Sequence, residues 1–358
     1  MISTEEATQA WGKLEEEASR PKVYRHYVPL SDAADATVAE AQDMQRIYTG
    51  VPEFDEEMRG IGRGHLLNIV GYSHSGKTLF LLLMLQANKQ KRIAYFCPDE
   101  TASLVLVKLT AMITGVGARE LERRVSEGDT EAIELLKATA LVHFPNLAVF
   151  EDGLSPHFME AAYHELKNEV WDGKDAEMVI VDYVDLLQDA GDTAATKFNW
   201  LKAFGKLKSI ALILIHQTSR TAGSDGKAMK IDSGNFGGEQ HATFMIGVRR
   251  KKSSILGELG ELRSKATPNQ ERIQELEGDL KIHEYTITLN LVKNKRPGGN
   301  TVDEIDFELD IKTGNIMRLP SDGIPNQYSD NHSLAATSET TQLTPEWTEV
   351  EMDYDTDF

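Results

Sequence analysis

A glycine-rich segment, Gly71-Tyr72-Ser73-His74-Ser75-Gly76-Lys77-Thr78, carries the most specific chemical pattern in the chain. An apolar run ending at Val70 precedes it and an apolar run of helical length follows it, which is the strand, loop and helix order of a phosphate-binding loop. The two glycines let backbone N–H groups turn into one concavity, and the helix adds the positive end of its dipole. Lys77 would reach the β- and γ-phosphates, and the Thr78 hydroxyl would bind a magnesium ion. The predicted nucleotide-binding residues are Gly71, Ser73, Ser75, Gly76, Lys77 and Thr78.

Carboxylates follow two of the predicted strands, and nucleotide hydrolysis needs such groups to hold magnesium and to activate water. Asp182 ends an apolar strand, where a parallel sheet places its functional groups, and we assign it to magnesium. The alternative is that it caps the next turn. Glu100 follows the predicted strand Arg92–Cys97 and is the candidate general base. Asp99 could exchange roles with it, and either carboxylate could instead cap the helix that begins at Ala102.

Three further polar side chains could act on the γ-phosphate. Gln217 ends the apolar run that begins at Ala211 and could hydrogen-bond the γ-phosphate and sense its loss; satisfying backbone groups at the strand end is its alternative role. Lys295 and Arg296 lie in a basic turn after a predicted strand. If subunits form a ring, this turn could reach the nucleotide of a neighbour as an arginine finger. The sequence does not choose between the two cations, and a solvated basic turn remains the alternative.

Several cations could bind the phosphates of single-stranded DNA. A long glycine-rich loop runs from Ala222 to Gln240, and loops of this length are uncommon unless they are functional or disordered. Its backbone amides and lysines suit a nucleic-acid backbone, with simple disorder as the alternative. A basic cluster at 249–252 adds to them, although it could be a solvated strand end. The predicted DNA-binding residues are Arg220, Lys227, Lys230 and Arg250.

The elements that position these residues indicate an α/β fold. Strands that are apolar on both faces alternate with helices, which predicts a mostly parallel sheet covered by helices on both faces. Tyr285–Val292 and Glu304–Leu309 alternate with period two and predict antiparallel strands that close the sheet. Glycines and a proline between Tyr48 and Gly64 predict turns before the first central strand. Helices are predicted over Ala102–Thr114, Ala118–Leu141 and Pro156–Val170, and a helical hairpin is predicted as an insertion over 254–284.

The 358 residues divide into three predicted segments: an N-terminal helix with a linker over 1–45, a core domain over 46–320, and a disordered acidic tail over 321–358. The net charge of −19 by itself argues against nucleic-acid binding, but nine acids and no Lys or Arg lie in the tail, so the rest is only mildly acidic. The single cysteine, the lack of a membrane-length apolar run and the lack of a signal-like N-terminus predict a cytoplasmic protein with no membrane partner. The N-terminal helix could pack on a neighbouring subunit or on its own domain.

Taken together in order and spacing, these motifs resemble the RecA-like ATPase domain of DnaB-type replicative helicases, particularly compact phage versions. The resemblance covers about Ile47 to Leu319. It rests on Tyr48–Pro52, the Gly60–Gly64 turns, the phosphate loop, Glu100, Val181-Asp182-Tyr183, His216-Gln217-x-x-Arg220, Gly238–Ala242 and Lys293-x-Lys295-Arg296.

This resemblance implies a P-loop NTPase that uses ATP and Mg²⁺, forms a ring (a homo-hexamer), moves along single-stranded DNA and unwinds duplex during DNA replication. The loop 221–240 would line the central channel, and the N-terminal helix would dock on the adjacent subunit. Two departures stand out: the first 45 residues leave no room for the domain that helps to recruit primase, and Lys295 holds the Arg position of the family's Lys-x-Arg finger, with Arg296 following. The acidic tail resembles those of single-strand-binding proteins, which dock on replication proteins; a solubilising tail is the alternative. A RecA- or RadA-like recombinase or recombination mediator, and a KaiC-like regulatory ATPase, are the competing functions.

Overall fold

The computed structural model describes residues 46–217, 238–265, 267 and 269–320, together with the single positions Leu30 and Val38. The predicted N-terminal helix with its linker, the side chains of Arg220, Lys227 and Lys230, and the acidic tail lie outside these ranges.

One sheet of nine strands organises the described part of the chain, in the spatial order β3-β2-β4-β5-β1-β6-β7-β8-β9. Neighbours from β3 to β6 are parallel, and β7, β8 and β9 each pair antiparallel with the strand before them, which confirms the predicted mostly parallel sheet with antiparallel closing strands. The strands are β1 Leu66–Gly71, β2 Ile93–Phe96, β3 Leu147–Phe150, β4 Met178–Asp182, β5 Ala211–Gln217, β6 Phe244–Arg250, β7 Thr286–Asn294, β8 Val302–Leu309 and β9 Ile316–Arg318.

Helices cover both faces of this sheet, as the apolar character of both strand faces predicts. Successive residues of β1 point to opposite sides: Leu67 packs in one apolar core with Phe80, and Leu66 packs in a second core with Phe198. The helices are α1 Pro52–Met58, α2 Lys77–Ala87, α3 Ala102–Thr114, α4 Ala118–Ser126, α5 Thr130–Ala138, α6 Pro156–Glu165, α7 Ala194–Lys208, α8 Gly238–His241, α9 Lys251–Arg263 and α10 Gln270–Ile282. Short π-helical segments, Thr139–His143 and Leu166–Val170, extend α5 and α6.

Three helical regions differ from the sequence expectation. Helix α1 replaces the turns predicted around Pro52, because that proline occupies the first turn, where it costs no hydrogen bond, and Arg59 ends the helix in a left-handed conformation. Helix α7 was not predicted; the side chains of Thr193 and Thr196 form a capping box that starts it. The predicted helical region 118–141 breaks after α4, because Gly128 has a φ of 77° and Asp129 caps α5.

The helical hairpin predicted over 254–284 is present as α9 and α10. Its arms bury a small apolar cluster of their own, formed by Ile255, Leu259, Ile273 and Leu276. An ion pair of 3.0 Å between Arg272 and Glu258 also joins the arms. The hairpin starts directly after β6, so it projects from the sheet edge at which β1 also ends.

Within the described ranges no single helix has the length and apolar character to cross a membrane. Helices α3 and α4 pass such a test only when they are counted together, and they are bent by 114° relative to each other.

Candidate nucleotide-binding site

The carboxyl ends of five parallel strands, β1, β2, β4, β5 and β6, meet at one edge of the sheet. Gly71 of β1 is in register with Gln217 of β5, and Asp182 of β4 is in register with Ile215. A pocket of about 350 Å³ opens there. The predicted site residues in its wall are Ser73, Ser75, Gly76, Lys77, Thr78, Glu100, Asp182, Gln217 and Arg250. A parallel sheet therefore gathers residues that are up to 177 positions apart in the chain, from 73 to 250, into one site.

The loop from Gly71 to Gly76 has no room for side chains at its glycines. A Cβ on Gly71 would lie 2.3 Å from the carbonyl oxygen of Val248 and 2.5 Å from Ser75 Oγ. Gly76 has a φ of 104°, a conformation that strains residues with a Cβ, and it is followed directly by the first residue of α2. The close backbone turn places the positive end of α2 at the pocket, as a phosphate site requires.

Lys77 supplies a buried positive charge to this loop. Its Nζ donates hydrogen bonds to the carbonyl oxygens of Gly71 (3.0 Å) and Tyr72 (2.7 Å). Burial lowers the pKa of the amine to about 8, against the opposing attraction of Asp182 and Asp185. The buried Ser75 Oγ lacks a hydrogen-bond partner within the described residues. A desolvated ammonium group beside an unsatisfied hydroxyl suits an incoming polyphosphate.

Asp182 is the carboxylate that β4 places in the site. The Tyr95 hydroxyl donates a hydrogen bond of 3.1 Å to its Oδ2. Burial raises the pKa of Asp182 to about 6, and the negative charges of Glu100 and Asp99 add to this rise, whereas Tyr95 and Lys77 oppose it. A cation bound next to this carboxylate would therefore stabilise its charged form.

The donors present fit a magnesium ion that is shared with a nucleotide. Asp182 and Thr78 offer oxygen atoms, which Mg²⁺ prefers. No group of three or more His, Cys, Asp or Glu side chains that could hold a metal by themselves occurs within the described residues. Magnesium usually takes one or two protein oxygens together with phosphate oxygens and waters, so this sparse donor set is the appropriate one.

The raised pKa of Asp182 predicts a pH-dependent cost in stability. Because its folded pKa of about 6 exceeds the ordinary value of 3.8, the stabilising effect of holding the proton is complete below pH 3.8 and is lost as the pH rises through 6. Asp182→Asn should therefore stabilise the ligand-free protein at pH 8 by about 1–3 kcal/mol, and the difference from wild type should vanish near pH 4. Urea unfolding at both pH values measures this.

The exposed carboxylate Asp152 provides the control, since Asp152→Asn should change the free energy of unfolding by less than about 0.5 kcal/mol at either pH. A destabilised Asp182→Asn protein at pH 8 would contradict the prediction. The same substitution should also remove the Mg²⁺ dependence of nucleotide binding, because the metal loses a charged ligand.

Glu100 has one oxygen anchored and one oxygen without a partner. Lys108 Nζ of α3 lies 2.6 Å from Glu100 Oε1, whereas Oε2 is buried with no hydrogen-bond partner within the described residues. The alternative role of capping α3 is taken by another residue, because the Thr101 side chain accepts the hydrogen bond from the Leu104 backbone N–H. An oriented carboxylate with an open oxygen in the pocket has the geometry of a general base.

The side chain of Arg250, which the sequence groups with the predicted DNA-binding cations, lines the nucleotide pocket. Its Nε lies 3.5 Å from the carbonyl oxygen of His74. The other members of the basic cluster pair with acids: Arg249 with Glu304, Lys251 with Asp306 and Lys252 with Glu284. Arg250 is the cluster member whose side chain lines the pocket. It lies close to the phosphate loop because β6 pairs with β1, and no local sequence pattern predicts that pairing.

Lys295 and Arg296 lie at the opposite edge of the sheet. Because β7 runs antiparallel to β6, Asn294 at the end of β7 is in register with Phe244 at the start of β6. The turn after Asn294 is thus separated from the phosphate loop by the length of the central strands, about 20 Å for six residues. Arg296 donates to the carbonyl oxygens of Met58 (3.2 Å) and Gly60 (3.5 Å) in its own chain. Neither cation can reach the nucleotide bound by the same subunit.

A mostly parallel sheet with a phosphate-binding loop after a central strand and carboxylates on neighbouring strand ends defines a RecA-like P-loop protein. The model of the DnaB-like helicase C-terminal domain matches residues 46–245 of the 358, and the chain belongs to that family. The family match ends before the hairpin of α9 and α10.

Solved structures of similar fold include a DnaB-like replicative helicase, described together with its interactions with primase. The TM-score is 0.61 at 15% identity, over 88% of this chain and 72% of that chain. A second solved structure, described as an ATPase domain, has a TM-score of 0.61 at 16% identity, over 82% of this chain and 100% of that chain. No curated protein sequence matches the chain. The family and these folds confirm the resemblance and the RecA-like fold that the sequence predicts.

Proposed function

We propose that the protein is a ring-forming, ATP-dependent DNA helicase that translocates on single-stranded DNA and unwinds duplex during DNA replication. Membership of the DnaB-like helicase family supports this function. The observation that carries the ring is the separation of the site into two parts, because the phosphate loop and the Lys295-Arg296 turn lie at opposite edges of one sheet. Copies arranged head to tail would bring the turn of one subunit to the nucleotide of the next, as heterologous contacts do in a closed ring.

The residues of one subunit would perform most of the hydrolysis. The loop N–H groups and Lys77 bind the polyphosphate, and Arg250 adds a cation beside them. Thr78 and Asp182 would hold Mg²⁺, whose charge stabilises the negative charge that develops on phosphoryl transfer. Glu100 Oε2 accepts a proton from the attacking water while Lys108 fixes the carboxylate. Gln217 hydrogen-bonds the γ-phosphate.

Gln217 also provides a physical route from the nucleotide to DNA. It is the last residue of β5, lies in the pocket, and is followed in the sequence by Arg220 and then by the predicted loop that carries Lys227 and Lys230. The chain returns to the described structure at Gly238 of α8. Loss of the γ-phosphate would therefore act on the last residue of the strand that leads into the proposed DNA-binding segment. Such a position couples hydrolysis to movement along the strand.

Two measurements test this function. Mass measurement with a non-hydrolysable ATP analogue should give a single closed oligomer, and unwinding of forked DNA should require ATP and Mg²⁺. Filaments of heterogeneous length would contradict the ring and favour a recombinase. An ATPase rate that does not respond to single-stranded DNA would exclude both DNA functions and favour a regulatory ATPase.

The acidic tail over 321–358 supports a further part of the proposal, that replication proteins dock on it. Its nine acids without Lys or Arg suit a basic partner surface. Deletion of the tail should leave ATP hydrolysis unchanged and weaken only such docking.

A further inference from the structure

A second polar pocket lies at the amino edge of the sheet, about one strand length from the nucleotide site. It has a volume of about 500 Å³, and among the residues that the structure describes no Asp or Glu side chain lines it. We call it the basic pocket. Its basic lining residues are Arg63, His65, Lys202, Lys206, His241 and Lys295.

Lys202 and Lys206 lie one turn apart on α7, and no acidic side chain of the described residues lines the pocket between them. Neither has an ion pair or hydrogen bond within the described residues, whereas other lysines of the same helix are partnered. Lys208 Nζ is 2.8 Å from Glu160 Oε2, and Lys197 Nζ is 2.6 Å from the carbonyl oxygen of Asp185. Burial, with help from Lys206 and Lys295, lowers the pKa of Lys202. Clustered like charges without a counter-ion are unfavourable, and an anion would relieve the repulsion.

The two cations of the basic turn, Lys295 and Arg296, differ in their relation to this pocket. Lys295 lines it, and its Nζ uses one hydrogen bond, of 3.2 Å, to the carbonyl oxygen of Gln240. Arg296 is not among the lining residues, and its guanidinium is held by carbonyl oxygens at the end of α1. Of the two, Lys295 is therefore the one that an anion in this pocket could contact.

We propose that the basic pocket binds a phosphate group, with Lys202 and Lys206 acting beside Lys295, and that the phosphate is the terminal one of a nucleotide held by a neighbouring copy. The source of the phosphate rests on the ring proposed above. Within the described part of the chain no Phe, Tyr or Trp lines the pocket, whereas sites for single-stranded nucleic acid combine cations with aromatic platforms for the bases. The lining therefore favours a nucleotide's phosphates over a DNA strand.

Calorimetry with inorganic tripolyphosphate tests the pocket without requiring a ring or catalysis. Lys77→Ala removes the main cation of the nucleotide site, so the binding that remains should come from the basic pocket. Binding should be lost, by at least about tenfold in affinity, in Lys77→Ala/Lys202→Gln. It should persist in Lys77→Ala/Lys137→Gln, which removes an equally charged but 61% exposed side chain on α5. Absence of residual binding to Lys77→Ala, or equal binding by both double variants, would overturn the site.

Steady-state hydrolysis tests the source of the phosphate. Lys202→Gln and Lys206→Gln should each lower kcat about 10- to 100-fold with KM for ATP within about twofold, because the pocket acts on another subunit's nucleotide. Mixing inactive Lys77→Ala with Lys202→Gln should raise activity above that of either alone, since a mixed ring contains interfaces in which one subunit supplies Lys77 and its neighbour supplies Lys202.

The outcomes distinguish the two proposals. If the wild-type protein fails to hydrolyse ATP, the proposed function fails, and tripolyphosphate binding still decides the basic pocket. If the wild type unwinds DNA and both lysine variants are normal, the inference alone fails. If the variants lose affinity for a single-stranded oligonucleotide at unchanged kcat, the phosphate comes from DNA and the assignment to a neighbour's nucleotide is wrong.

Discussion

Replacing Lys77 by Ala is expected to abolish ATP hydrolysis and DNA unwinding, with a fall in kcat/KM of about 10³-fold or more. The amine is buried in the phosphate loop and donates hydrogen bonds to the carbonyl oxygens of Gly71 and Tyr72, which fix its position in the site. Its pKa of about 8 leaves most molecules charged at neutral pH, and phosphate binding would restore the full charge. The variant should lose both the ground-state affinity for triphosphate and the stabilisation of the transferred group.

Phosphate-release kinetics, forked-DNA unwinding and equilibrium binding of a fluorescent ATP analogue measure these losses. Lys89→Ala is the control, because Lys89 follows the other end of α2 and does not line the nucleotide pocket. Circular dichroism should show that both variants are folded. Unwinding retained by a folded Lys77→Ala protein would refute the assigned site.

The phosphate loop could be predicted from the sequence because its chemistry is local. Gly71, Gly76, Lys77 and Thr78 lie within eight positions, and the close contact of Gly71 with Val248 explains why the first position must be glycine. Asp182, Glu100 and Gln217 could also be anticipated, since parallel strands end at a common edge. This prediction from the strand ends requires only that the fold class is known.

Long-range pairing decides what the sequence could not show. Arg249 and Arg250 are adjacent and chemically identical, yet one pairs with Glu304 and the other lines the nucleotide pocket. The antiparallel return of β7 carries Lys295 to the far edge of the sheet, where it meets Lys202 of a helix that no periodicity predicted. Such neighbours depend on strand direction and order, so local patterns carry no signal for them.

The nucleotide site holds two desolvated charges of opposite sign. Burial lowers the pKa of Lys77 to about 8 and raises the pKa of Asp182 to about 6, so for both groups desolvation outweighs their mutual attraction. These two desolvated charges lower the free energy of unfolding of the protein when the site is free of ligand. A polyphosphate would pair with Lys77, and Mg²⁺ would pair with Asp182. Ligand binding should therefore raise the free energy of unfolding of the protein.

Glu100→Gln is expected to separate nucleotide binding from hydrolysis. The amide keeps the shape of the side chain but cannot accept a proton, so kcat should fall about 10²- to 10⁴-fold while ATP still binds. The substitution also removes the negative charge that pairs with Lys108, whose Nζ lies 2.6 Å from Glu100 Oε1. Single-turnover kinetics should therefore show a slow chemical step with ATP affinity within about threefold of wild type.

Asp99→Asn decides between the two adjacent carboxylates, because Asp99 also lines the pocket and the sequence allows the roles to be exchanged. It should lower kcat less than about tenfold, since the anchored carboxylate with an unpartnered buried oxygen belongs to Glu100. Lys108→Met should give an intermediate loss, because the Glu100 carboxylate remains but loses the contact that orients it. If Asp99→Asn stops hydrolysis and Glu100→Gln does not, the base is Asp99, and Lys108 anchors a carboxylate with no part in catalysis.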